Sequence, residues 1–363
     1  MPGFTPALEL NEHFYHEAVK PLVSAEYPDL QYAAALIGPG SEVNGFDTTM
    51  SMDHDWGLHF FIFVRDEDKS QCQPLANMLS HRLPTTFAGF PVAISQASPK
   101  PQVRVLEEPL SGPIQHHITP ITLREFCIRH LGHNVLQQLE PKDWLSLAAH
   151  SVGETVKGRV FHDGTGELTS LRQKLDWYPR DVWLYLLAAE WARIGEEEHL
   201  MPRAGYVGSE LGSSLIGSRL IRDVMNLCYL MEREYAPYAK WFGLGFRRLQ
   251  CGETLEPMLW AAQMAVTWTE RQQALARVYQ VLAGMHNSLG IGKEMATVCS
   301  DFYDRPFLVI HGETFVESIK GEIHDPVVRR LADDCLIGSR SQWTDNCAVL
   351  ERQPFEKVRS MYG

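Results

Sequence analysis

Two short apolar runs, YAAALIG at 32–38 and HFFIFV at 59–64, constrain the fold of the first third of this chain more than any other feature. The first is cut off by Gly38-Pro39-Gly40 and the second by the charged cluster RDED, so both read as buried strands ending in turns. Ahead of them LELNEHFYHEAVKPLVSAEY spaces its apolar residues as an amphipathic helix does, and QCQPLANMLSHRL suits another. FPVAISQ, QVRVLEE and IQHHITPI are shorter strand candidates. A helix and strand mixture around one central sheet is expected up to about residue 120.

Beyond residue 121 the pattern changes. LREFCIRHLG, DVWLYLLAAEWARIGEEEHL, SSLIGSRLIRDVMNLCYLMEREY, PMLWAAQMAVTW and ERQQALARVYQVLAGMHNSLG all carry helical periodicity, and strand signals nearly vanish. FHDGTGELTS reads as a connecting turn. The fold class is therefore α+β, with a mixed-sheet domain over 1–120 followed by an α-helical bundle over 121–363. At 363 residues the chain is long enough for both.

Charge and cysteine usage narrow the function classes. With 45 acidic and 33 basic residues the net charge is −12, which disfavours non-specific attraction to DNA or to an anionic membrane. No stretch has the apolar length that spans a bilayer, and the N-terminal MPGFTPALELNEHF has no signal-like core, so a cytoplasmic location is expected. The seven cysteines are scattered, odd in number and never spaced as C-x-x-C, which argues against disulfides, structural zinc and thiol chemistry.

The chemistry is expected between the two apolar runs. Asp53 and Asp55 stand just before HFFIFV, where a strand period of two would aim both carboxylates at one side. Two carboxylates that close repel unless a cation lies between them, and Mg²⁺ accepts such oxygens while leaving positions for substrate phosphates. The Gly40-Ser41 turn offers backbone N–H groups and a hydroxyl to those phosphates. His54 and Trp56 flank the pair as supporting residues, while His116-His117 read as plain strand residues. In the helical part Arg219 and Arg222 fall on one face, with Glu210 upstream and Lys240 downstream, so the cations could grip phosphate or carboxylate. Asp223 is an acid inside an otherwise apolar helix, and Trp241 beside Lys240 could stack on a base. Arg180 and Asp181 start a helix and read as capping.

An apolar run ending in Gly-Ser, a spacer, then D-x-D before a strand resembles the nucleotidyltransferase superfamily with the DNA polymerase beta fold. GSEVNGFDTTMSMDHDWG, VFHDGTGELT, WYPRDVWLYLLAAEW, ELGSSLIGSRLIRDVMNLCYLMEREYAPYAKWFG and LIGSRSQW resemble the domain of unknown function 4037 family over most of the chain. The resemblance implies a nucleotidyltransferase-like domain followed by a helical domain, with Gly40 and Ser41 on the phosphates of an NTP and Asp53 and Asp55 on Mg²⁺. It further implies Glu210 as the base that takes a proton from a small-molecule acceptor. A third acid is usual on a neighbouring strand; Glu107 or Glu108 is the nearest candidate, while HHITPI offers Thr119 and no carboxylate. A resemblance to fungal arginine-containing cyclodipeptide synthases implies an alternative. Aminoacyl-tRNA would then be the partner, and Asp53, Asp55 or Glu210 would read a guanidinium. A nucleotide-binding protein without catalysis is the third reading.

Overall fold

The computed structural model describes residues 3–53, 56–95, 105–106, 112–351 and 354–363, with residue 53 described by its backbone alone. The chain is α+β, and its residues divide into two compact units: 1–138 with 151–176, and 139–150 with 177–363.

Four strands make the sheet of the first unit: β1 (Tyr32–Leu36), β2 (His59–Val64), β3 (His117–Thr122) and β4 (Arg159–Asp163). Their order is β3-β2-β1-β4; β1 runs antiparallel to β2 and β4, and β2 runs parallel to β3. The apolar runs form the strands expected of them. Alternation along β2 builds two layers. Phe60 meets Phe14 and Tyr15 of the N-terminal helical stretch, while Phe61 and Phe63 meet Phe126 of the helix Leu123–Leu131 on the other face. That helix begins in a reciprocal cap between Thr122 and Glu125 and stops at Gly132, as the sequence LREFCIRHLG requires.

Two strand expectations need correction. Among the described residues FPVAISQ contributes the strand Phe90–Pro91, paired with Thr86–Phe87 in a tight hairpin, and an isolated bridge from Ile94 to Leu106. Pro91 lacks the N–H that would extend the ladder. FHDGTGELTS is more than a turn: its first residues close β4, which pairs with β1. Asp163 then receives the Gly166 and Thr169 N–H groups and the Thr169 hydroxyl, starting the helix Glu167–Leu175. The sheet-bearing unit thus takes in residues 151–176, which the sequence pattern assigns to the helical part.

The second unit is helical around Arg180–Glu197, which is buried on nearly every side. It packs on Glu210–Met231 and on Gly312–Gly321. At the latter crossing a Cβ on Gly312 would lie 2.7 Å from the Trp191 carbonyl oxygen, so only glycine admits the approach. Trp191 stacks on Phe315 at 4.0 Å beside it. A two-stranded ribbon, β5 (Ser300–Phe302) with β6 (Arg305–Val309), adds strands that the helical pattern hides.

Candidate functional site

The antiparallel register sets Ala35 across from Phe61, and the parallel register sets His59 beside His117. The Gly-Ser turn after β1 therefore meets the starts of β2 and β3 at one end of the sheet. Gly38 N–H donates to the Glu154 carbonyl at 2.8 Å, and the turn folds on itself through Phe46 N–H to the Ser41 carbonyl and Gly45 N–H to the Glu42 carbonyl.

Glu42 fills the inside of this turn and is 3 % exposed. A Cβ on Gly40 would fall 2.1 Å from Glu42 Oε1, so the glycine leaves room for that carboxylate. Glu42 Oε1 is 3.0 Å from His59 Nε2, and Ser41 Oγ donates to Glu42 Oε2 at 3.4 Å. His59 Nδ1 lies 3.2 Å from the Gly57 carbonyl, so both ring nitrogens face acceptors. The His117 ring lies 5.3 Å from that of His59. Sequence reasoning missed Glu42 and His59, and read His117 as a plain strand residue.

The loop between Gly-Ser and β2 is pinned at both ends. Asp47 Oδ2 accepts from Ala7 N–H at 2.8 Å and from Trp56 Nε1 at 3.3 Å. Trp56 is buried against Phe90. Buried Asn11 donates to the Ala7 and Gly57 carbonyls and accepts from His59 N–H, each at 2.8 Å. Asp53 closes a 3₁₀ helix, Thr49–Asp53, and β2 starts only at His59. A strand period therefore does not govern Asp53. His54, Asp55, Glu107 and Glu108 lie outside the described residues, as does the Asp53 side chain. β3 lies parallel to β2 with Thr119 opposite Phe61, so the strand expected to hold a third acid offers none.

In the second unit the expected residues do not converge. Glu210 and Arg222 sit on one helix about 18 Å apart along its axis at 1.5 Å per residue. The Glu210 carboxylate accepts from Trp268 N–H at 3.1 Å and faces Arg271 Nη1 at 3.5 Å. It thereby holds the first turn of the helix Trp268–Ser288, where orphan N–H groups need acceptors. Arg219 forms a fork with Glu197 at 2.8–3.0 Å on the surface. Lys240 Nζ lies 4.7 Å over the Trp241 ring. Asp181 receives the His324 and Asp325 N–H groups, and Arg180 reaches the Glu322 carbonyl, so both are structural.

Asp223 is fully buried and paired with Arg193 at 3.1–3.3 Å. Beside it Glu190, 0 % exposed, accepts from Gln342 Nε2 at 2.5 Å. Burial first and the Asp223 charge second push the Glu190 carboxyl up to about 8. Burial likewise raises Asp223, with Arg193 opposing. A signal for this network is present in the sequence: an acid inside LLAAEW and another inside LIRDVM have no water to face.

Among the described residues no group of three His, Cys, Asp or Glu side chains could hold a metal ion. No helix of these residues is long and apolar enough to cross a membrane.

No curated protein matches the chain at a significant level. Among solved structures it is similar to a nucleotidyltransferase-like protein from Exiguobacterium sibiricum 255-15, with a TM-score of 0.31 and 12% identity, over 89% of this chain and 91% of that one. Residues 144–242, a span that holds Glu190, Arg193 and Asp223, match the family model described as Domain of unknown function (DUF4037), the family that the sequence motifs resemble.

Proposed function

We propose that the chain is a Mg²⁺-dependent nucleotidyltransferase-like enzyme that moves a nucleoside monophosphate from an NTP to a small-molecule acceptor. One observation carries this reading: the Gly40-Ser41 turn follows the end of β1, where by the antiparallel register β2 begins, so the turn and the start of β2 share one end of the sheet.

Asp53 and Asp55 would hold the metal. Their donor set is oxygen alone, as Mg²⁺ prefers. Bound there, Mg²⁺ supplies charge neutralisation on the phosphates. The turn N–H groups and the Ser41 hydroxyl orient the phosphate oxygens. Glu42 takes the acceptor's proton in this scheme, because Glu210 is committed to Trp268 and Arg271. His59 holds the Glu42 carboxylate in place.

Pyrophosphate release from a panel of NTPs with Mg²⁺ tests the proposal. Turnover is expected in the native chain and is expected to vanish in Asp53→Asn with Asp55→Asn. Unchanged turnover in that double variant refutes it. NTP binding by calorimetry with no turnover under any condition points instead to a binding protein.

A further inference from the structure

We infer that the second unit holds a binding site for a small organic carboxylate with an apolar body, in the cavity formed by helix Glu210–Met231, residues 236–242 and residues 341–351. The cavity measures about 310 Å³, the size of a small-molecule site. It is separate from the nucleotide reading and stands or falls without it.

Donors in search of an acceptor carry the inference. Arg222 lines the cavity, and the acid facing it, Asp345, stays 3.9 Å away, beyond hydrogen-bond reach. Asn226 lies one helical turn on, hence on the same face, and its Nδ2 is enclosed with no partner. A smaller adjoining cavity shares Asn226 and Ser341 as walls and is lined by Trp177, whose Nε1 is likewise enclosed without a partner. Leaving enclosed N–H groups unmatched costs free energy that a bound acceptor recovers. One acceptor of the cavity is already engaged: the Ser341 hydroxyl oxygen takes the Ala149 N–H.

Charge selects a carboxylate. A guanidinium fork matches two carboxylate oxygens. Asp345 and Glu351 on the same walls disfavour a dianion such as phosphate. His150 adds no positive charge at neutral pH, since burial first and Arg340 second push it down to about 4. Pro237, Phe242 and Leu350 offer apolar surface to the rest of the ligand.

Calorimetric titration of the full chain with phenylacetate, its neutral isostere phenylacetamide and inorganic phosphate provides the test. Phenylacetate is expected to bind at millimolar concentration or better, with the amide and phosphate each at least about tenfold weaker. Arg222→Met should weaken phenylacetate by about tenfold or more, while Arg222→Lys keeps part of the affinity. Thermal melting of each variant reports that it is folded. The inference fails if phenylacetate gives no heat, if either comparison ligand binds as well, or if folded Arg222→Met binds phenylacetate unchanged.

Discussion

Replacing Glu190 with Gln should flatten the pH dependence of stability. In the folded chain the carboxyl titrates near 8, against 4.5 for an ordinary glutamate. Between those values the folded chain keeps a proton that the unfolded chain has released. Stability from this group is thus fully present below pH 4.5 and is lost as pH rises through 8. One proton gives a slope of about 1.4 kcal/mol per pH unit. Because Asp223 and Arg193 share the titration, roughly 2–4 kcal/mol is expected over the whole window. Gln keeps the shape and can still accept from Gln342, but has no proton to lose. The two proteins should be about equally stable near pH 5, and the variant clearly the more stable at pH 9. Glu198, raised to about 7 mainly by burial, tilts both curves alike, so the difference between them isolates Glu190. Urea denaturation followed by circular dichroism from pH 5 to 9 measures it. Parallel curves would refute the assignment of a buried proton to Glu190.

Other substitutions probe the remaining contacts. Asn11→Ala removes two buried hydrogen bonds and one part-buried one and leaves His59 N–H and two carbonyls without that partner, for a loss of about 2–3 kcal/mol in melting experiments; a loss under about 0.5 kcal/mol would show that water replaces the side chain. Glu42→Gln should lower NTP turnover by about 10²–10⁴ with a stability loss of only about 1–2 kcal/mol, and unchanged pyrophosphate release removes Glu42 from the mechanism. Arg193→Met strands the buried Asp223 charge and should cost about 2–4 kcal/mol, whereas Arg193→Met with Asp223→Leu should recover most of it; a double variant as unstable as the single would mean that packing, not charge, sets the loss.

What the sequence reveals depends on how far apart the interacting residues lie. β1 and β2 announce themselves because each is an apolar run bounded locally by Gly, Pro or charge. β4 is different: within RVFHD only Phe161 is buried, so its pattern is that of a polar turn until β1 pairs with it. Glu42 is hidden for a related reason. An acid in a Gly-rich turn reads as solvated, and only the antiparallel pairing that delivers His59 across the sheet end gives it a buried partner. Glu210 and Arg219 show the converse: helical spacing set Arg219 beside Arg222 and the family resemblance made Glu210 a base, while Trp268, Arg271 and Glu197, distant in sequence, engage their side chains.

This difference bears on what the family motifs mean. WYPRDVWLYLLAAEW, the helix holding Arg222 and Asp223, and LIGSRSQW come together in one buried network of Glu190, Arg193, Asp223 and Gln342. Burial of Glu190, Asp223 and Gln342, with the partly exposed Arg193 paired to Asp223, explains why those residue types occur there, with no reaction required. Likeness in these segments therefore speaks for a shared helical core rather than for a shared substrate. The Gly-Ser turn is another matter, because a carboxylate lodged beside Ser41, with His59 across from it, serves no packing need that an apolar side chain could not meet at lower desolvation cost. The case for chemistry accordingly rests on the sheet end around Glu42, and substitutions there separate the reaction from the fold.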